Sequence, residues 1–196
     1  MPQVTALSRV GRDRVAVELD GRRWRDVPLE AAQLAGLAVG ADLDRERART
    51  LRRELRRADA LATAARALRH SDQTRATLTR RLAARGFAPA ERAETLAVLA
   101  RAGIVDDERY AHGRAAALAA RGRGNLLIAC DLERQGVPPE LVRAAIASLE
   151  PEPQRAERLL AAQGATPRTL RRLVAQGFGE ETLEDLIAAT ADRAVG

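Results

Sequence analysis

LAARGF, residues 82–87, has two echoes further along the chain: LERQGV at 132–137 and LVAQGF at 173–178. In each, a leucine lies four residues before a glycine, and a bulky apolar residue follows. Glycine after a helix takes the left-handed conformation at little cost, and the apolar residue behind it folds back over the last turn. The three stretches therefore read as three helices ended by one device. Pro89, Pro139 and Glu180 come shortly afterwards; proline is well tolerated in a first turn, so a further helix opens at each.

Working outward, helical spacing extends over 58–69, 74–85, 89–102, 107–120, 124–135, 139–149, 153–162, 167–176 and 180–190. Apolar stripes recur at Leu61, Ala64 and Leu68, at Ala93, Leu96 and Ala100, at Val142, Ala145 and Leu149, and at Leu183, Leu186 and Ile187. This is the spacing of a buried helix face. Grouped by the repeated ending, the helices form three three-helix repeats, 58–103, 104–150 and 151–196. Bundles of about 45 residues are near the lower limit for folding alone, and helices this short need tertiary contacts. The repeats are expected to stack in tandem as an elongated, curved rod.

Residues 1–57 read differently. Val15, Val17 and Leu19 alternate with Ala16, Glu18 and Asp20, the period of a half-buried strand. Asp20-Gly21 is a favoured two-residue hairpin turn. Arg22 to Val27 returns, with Trp24 expected to cover the apolar face of the hairpin. An earlier strand over Val4 to Arg9 completes a small sheet, since two strands alone are marginal. A short helix follows Pro28, and a long or kinked one begins after Asp42 or Asp44. Its stretch Arg45 to Arg57 carries seven arginines with Leu51 and Leu55 as apolar anchors, so it reads as a solvated, basic helical linker. The class is mainly all-α with a small N-terminal sheet.

The chain has 196 residues, 46% hydrophobic and 31% charged, but only 2% aromatic, so alanine, leucine and valine must build the core. Ala, Leu, Arg and Glu are strong helix formers. No run of eighteen apolar residues offers a membrane span, and the first residues lack the apolar core of a secretory signal. Cys130 is the sole cysteine, which excludes an intrachain disulfide or thiolate cluster and suits a reducing cytoplasm. All 33 basic residues are arginine, a uniformity that a GC-rich genome produces without phosphate recognition. The net charge of +6 divides into +5 over 1–70, +4 over 71–125 and −3 over 126–196. An anionic partner would meet the first two-thirds.

Gly103 to Ala111, GIVDDERYA, sets two carboxylates side by side. With no third ligand at helical spacing, the pair reads as a cap: Asp106 at the N-cap, Asp107 and Glu108 at the positive end of the helix dipole. Tyr110 then faces the core or the seam between the first two repeats. His70 and His112 lie on different helices without a partner carboxylate. RGRGN, Arg121 to Asn125, lacks phosphate-loop spacing and reads as an interhelix turn. No HExxH, paired CxxC or nucleophile elbow occurs. No catalytic, cofactor-binding or metal-binding residues are expected, and no enzyme. The basic candidates are Arg75, Arg80, Arg81 and Arg85 on one helix, where Arg81 and Arg85 share a face, with Arg114, Arg121 and Arg123 following. They form either a solvated face or a contact to carboxylates or phosphates.

His70 to Val137, taken with RTLRRLVAQGF at 168–178, resembles the RecX family of bacterial recombination regulators. The carriers are a basic helix ending in LAARGF, then GIVDDERYA, the Gly122-Arg123-Gly124 turn, and a helix ending in LERQGV. The resemblance runs from about Ala58 to Ala188 and implies three tandem three-helix repeats. It also implies a monomer that binds the RecA recombinase filament on single-stranded DNA, lies along its groove, and inhibits ATP hydrolysis and strand exchange. The consequence would be regulation of recombination, DNA repair and the SOS response; some members also bind DNA directly. The basic positions carry over to Arg80, Arg81 and Arg85, then to Arg109, Arg114, Arg121 and Arg123. Thr77 departs from the family pattern, which often has an acid three residues after the cap at Thr74. Asn125, Leu126 and Leu127 replace a stretch that often holds proline and basic residues. The competing reading is a freestanding DNA-binding protein of helix-turn-helix type, although no helix combines Asn, Gln and Arg as a recognition helix does.

Overall fold

At all three repeated endings the glycine is left-handed, with φ of +76° at Gly86, +78° at Gly136 and +81° at Gly177. The glycine N–H groups donate to Ala83, Glu133 and Val174, and the next residue reaches back one further: Phe87 to Leu82, Val137 to Leu132 and Phe178 to Leu173. These are the paired bonds of the Schellman ending, which satisfy carbonyls a helix otherwise leaves bare. Phe87, Val137 and Phe178 are buried, as are Leu82, Leu132 and Leu173.

The computed structural model describes the backbone of residues 1–195 and the side chains of residues 1–188. Gly196, the last residue of the third expected repeat, lies outside the described residues. The described chain is ten helices behind a three-stranded antiparallel sheet. The strands are β1 (Val4–Arg9), β2 (Arg14–Leu19) and β3 (Arg22–Pro28). Then come α1 (Leu29–Leu34), α2 (Arg45–Leu68), α3 (Arg75–Ala84), α4 (Pro89–Arg101), α5 (Asp107–Ala120), α6 (Asn125–Arg134) and α7 (Pro139–Ala147). The last three are α8 (Glu152–Gln163), α9 (Pro167–Ala175) and α10 (Glu180–Val195). Each of the nine helical spans read from the sequence corresponds to one of α2 to α10. No helix among the described residues is long and apolar enough to cross a membrane.

Contacts divide the chain into two compact units: Met1–Ser71 with Thr79–Leu99, and Asp72–Leu78 with the chain from Ala100 onward. In the first, Val4, Val15, Val17, Val27 and Ala32 make the core under the sheet. Asp20 and Gly21 turn the hairpin at φ of 49° and 76°. Two features differ from the sequence reading. The inner face of Arg45–Arg57 is not solvated: Leu51 is buried against Ala31 and Ala35, and α2, capped by the Asp44 side chain, runs unbroken through residue 57. Trp24 does not cover the hairpin; it is 43% exposed. The pairing explains why. Arg25 opposes Val17 and Arg23 opposes Glu18, so Trp24 is the extra residue of a β-bulge, and a bulge re-aims the side chain it carries. Farther along α2, Ala60 packs with Leu82 and Phe87.

Helices α5, α6 and α7 enclose a core of Ala111, Ala115, Ile128, Leu132, Val137, Val142 and Ala145, with half-buried Tyr110 against it. Burial raises the Tyr110 phenol above its usual range. Helices α8, α9 and α10 close on Ala156, Leu160, Leu173, Phe178, Leu183 and Leu186. The glycine endings also act as sockets. Thr74, which caps α3 by accepting from the Thr77 N–H, donates its hydroxyl to Gln135 at 2.7 Å, beside Gly136. The start of α6 repeats this at the next socket: Gly124 and Leu126 donate N–H bonds to Gln176 and Gly177. A threonine at position 77 serves because its hydroxyl also points at the Gln135 carbonyl; a carboxylate there would repel that oxygen.

Candidate functional site

The basic residues singled out from the sequence fall in both units and are not equivalent. In the first unit, Arg80, Arg81 and Arg85 sit on the exposed side of α3 and its closing turn, and the guanidinium groups of Arg81 and Arg85 make no hydrogen bond or ion pair among the described residues. The helix is anchored by Leu78 and Leu82, both fully buried. Helical periodicity puts Arg80 opposite these leucines and Arg81 at their flank, while Arg85 is exposed in the turn after α3 has ended at Ala84.

In the second unit the remaining candidates divide. Arg75 is exposed, and its N–H donates to Asp107 at 2.8 Å. Asp107 thus serves the start of α3 as well as its own helix, while Asp106 caps α5 through the Arg109 N–H. The Arg109 side chain bonds the Gly103 and Ile104 carbonyls, bracing the loop before α5. Arg114 forms a two-pronged pair with Asp131 at 2.7 and 3.1 Å. That bond holds the Asp131 carboxyl below its usual range and raises the guanidinium. Arg123 bonds the Gln176 side chain. Arg109, Arg114 and Arg123 are therefore engaged inside the fold, whereas Arg121 is exposed and its guanidinium makes no hydrogen bond or ion pair among the described residues.

Tertiary structure adds a residue that spacing did not point to. Arg121, Arg123 and Arg172 border one cleft of about 200 Å³ floored by Leu159 and Leu173. Arg172 is half a hundred positions away on α9 and donates a 3.2 Å bond to Gln163. Three guanidinium groups around one opening suit a carboxylate or phosphate oxygen.

The RGRGN turn is a joint. A Cβ on Gly124 would lie under 3.0 Å from the Gly177 and Phe178 backbone, so only glycine permits this approach. Next to it lies a buried polar hub that the sequence reading missed. Glu152 accepts from the Asn125 N–H, from the Gly179 N–H at 3.0 Å and from the Thr182 hydroxyl at 3.1 Å. One carboxylate thereby sits at the N-terminal, partly positive ends of α6, α8 and α10. Arg155, 5% exposed, bonds the Glu150 and Arg123 carbonyls and the Asn125 side chain, and lies 5.9 Å over Phe178. Burial lowers its pKa. This hub is structural, as every partner is internal. His112 meets the Ser148 hydroxyl at 2.9 Å, and His70 is exposed. No group of three or more His, Cys, Asp or Glu suited to a metal ion occurs among the described residues.

Known proteins agree with this arrangement. Residues 106–146 match the family model for the second three-helix domain of RecX. The regulatory protein RecX of Chromohalobacter salexigens is 37% identical over 89 residues, which cover 45% of this chain and 59% of that protein. Its namesake in Mycolicibacterium smegmatis is 38% identical over 92 residues, 45% of this chain and 48% of that one. The chain thus spans about half the length of these curated relatives. A crystal structure of regulatory protein RecX superposes with a TM-score of 0.75 at 18% identity, covering 94% of this chain and 98% of that one. RecX from Lactobacillus salivarius gives 0.58 at 15% identity over 68% and 96%; at these identities the two structures speak for the fold. The family segment thus falls on α5 to α7, and the chain is similar to RecX proteins in that sequence and shares the fold of the solved ones.

Proposed function

We propose that this chain regulates recombination by binding the RecA recombinase filament on single-stranded DNA and inhibiting its ATP hydrolysis and strand exchange. It acts by binding and not by chemistry of its own, as a monomer in the cytoplasm, where the filament forms. The observation that carries the reading is α3 in a chain that resembles RecX proteins: Arg81 near its end and Arg85 in the turn just beyond it are exposed, and their guanidinium groups make no hydrogen bond or ion pair among the described residues. Cations so placed meet acidic side chains of the filament or DNA phosphates, and Arg121 with Arg172 offers a second point of attachment. Several modest contacts on one chain reinforce one another, because the first raises the effective concentration of the rest. A ligand tying neighbouring filament subunits together would impede the rearrangements that ATP turnover requires.

The test is recombinase ATP hydrolysis on single-stranded DNA with and without this protein. The wild type should depress the rate, and Arg81→Glu with Arg85→Glu should relieve most of the depression while leaving the melting temperature within a few degrees. An unchanged rate at concentrations where the protein binds DNA tightly would refute the regulatory reading and favour the freestanding DNA-binding protein. Full inhibition by the double variant would clear α3 of a role.

A further inference from the structure

The N-terminal unit carries a feature the regulatory reading does not use. Trp24, the only tryptophan of the chain, is placed by its bulge at the mouth of a cleft of about 350 Å³ between β3 and α2. Leu51 and Leu55 line its apolar part, and Arg25, Arg52 and Arg56 its polar part. Burial would have been the ordinary fate of a lone indole in a chain so poor in aromatics; an extra residue in the strand turns it outward instead.

The charges beside it are arranged in one direction. Arg45, Arg49, Arg52 and Arg56 follow one another at helical spacing along a single face of α2, a stripe of about 16 Å. The guanidinium groups of Arg45, Arg49 and Arg52 make no hydrogen bond or ion pair among the described residues. Arg56 is committed to Glu91 at 2.7 Å and lies 4.8 Å over Phe87, so it is a wall and not a vacant cation. Asp59 is the carboxylate in the lining, at the end of the cleft beyond Arg56. The Arg25 guanidinium lies over one face of the Trp24 ring, 5.5 Å from its centroid.

We propose that the cleft between Trp24 and α2 binds a single-stranded nucleic acid, with one unpaired base stacked on Trp24 and the adjoining phosphates on Arg52, Arg49 and Arg45. Three requirements meet here: a planar π surface at the mouth, apolar walls to shelter a base, and cations in file for a backbone. Stacking tolerates any base, and a cationic groove tracks the phosphates. An acidic peptide would use the arginines but has no need of an exposed indole. Duplex DNA would use the arginines too, but its bases are already stacked.

Because Trp24 is the sole indole, its fluorescence reports this site alone. The full chain is titrated with a single strand of about fifteen thymidines, with a duplex of equal length, and with an abasic strand of equal length. The thymidine strand should quench Trp24, the abasic strand should bind in a salt-sensitive way without quenching, and the duplex should not quench. Arg52→Glu should weaken the thymidine strand roughly ten-fold, as should Trp24→Leu read by anisotropy of a labelled strand. Both sites are exposed, and circular dichroism checks that each variant folds. No quenching by the thymidine strand, or equal quenching by the abasic one, overturns the proposal. Quenching by recombinase alone with none from DNA overturns it in favour of a protein ligand. No recombinase enters the DNA titrations, so their failure leaves the regulatory reading standing, and failure of the ATPase test leaves this site standing.

Discussion

Gly86 and Gly124 are glycines for different physical reasons, and substitution separates them. Gly86 has φ of +76° and open space where a Cβ would go. Gly86→Ala meets only the left-handed penalty and should lower stability by about 1 kcal/mol. Gly124 has an ordinary φ of −80°, yet a Cβ there would run into the backbone of Gly177 and Phe178. Backbone cannot step aside as a flexible side chain can. Gly124→Ala should therefore cost about 3 kcal/mol or more, read as the shift in the urea midpoint of the unit it belongs to. From the sequence, the left-handed glycines were legible because each closes a helical pattern. Gly124 was legible only as part of a turn, since nothing local says which backbone will press against it.

Between elements, polar side chains do the fastening, and two of them give measurable outcomes. Glu91 on the first turn of α4 accepts from the Ala88 N–H and from both reachable nitrogens of Arg56. The Arg56 bonds, then that of Ala88, lower its carboxyl from the usual 4.5 to about 2. A carboxyl depressed on folding stabilises fully above its unfolded value and loses that contribution as pH falls through the folded one. Stability should thus fall between pH 4.5 and about 2, and more shallowly in Glu91→Gln; urea unfolding across that range measures the slope. The second is Glu152. Glu152→Ala strands the donors of Asn125, Gly179 and Thr182 in a buried place, and should cost about 3 kcal/mol by the same assay. Spacing could mark Glu152 only as an acid in a first turn. Its three acceptor roles depend on α6 and α10 arriving from far along the chain.

For the molecule as a whole, charge is the property with functional reach. Residues 1–125 carry a charge of +9 against −3 for the remainder, and the exposed arginines on α2 and α3 belong to that basic part. The inhibition proposed above should weaken as salt rises if these cations carry it, because exposed charges more than about 10 Å apart are screened at 0.1 M. An ATPase titration over a salt series checks this. The Arg81→Glu, Arg85→Glu pair should flatten the dependence, whereas Arg114→Gln should act through folding stability, since Arg114 is engaged with Asp131. Of eight arginines marked in the sequence, charge patterning could not tell Arg81 and Arg85 from Arg109, Arg114 and Arg123. The distinction lies in whether a carboxylate, amide or carbonyl happens to be within reach once the helices pack.

Local chemistry along the chain was enough to place the helices, the three left-handed glycine endings and the hairpin turn, and to show which family the chain resembles. Those features depend on residues within about one helical turn of each other, through capping, dihedral preference and periodic burial. Tertiary structure alone decided that the RGRGN turn seats on a second glycine ending, that Arg172 joins Arg121 at one cleft and that Glu152 and Arg155 bind three helices. It also decided that Trp24 faces outward, because a bulge is a mismatch in length between paired strands and neither strand displays it by itself.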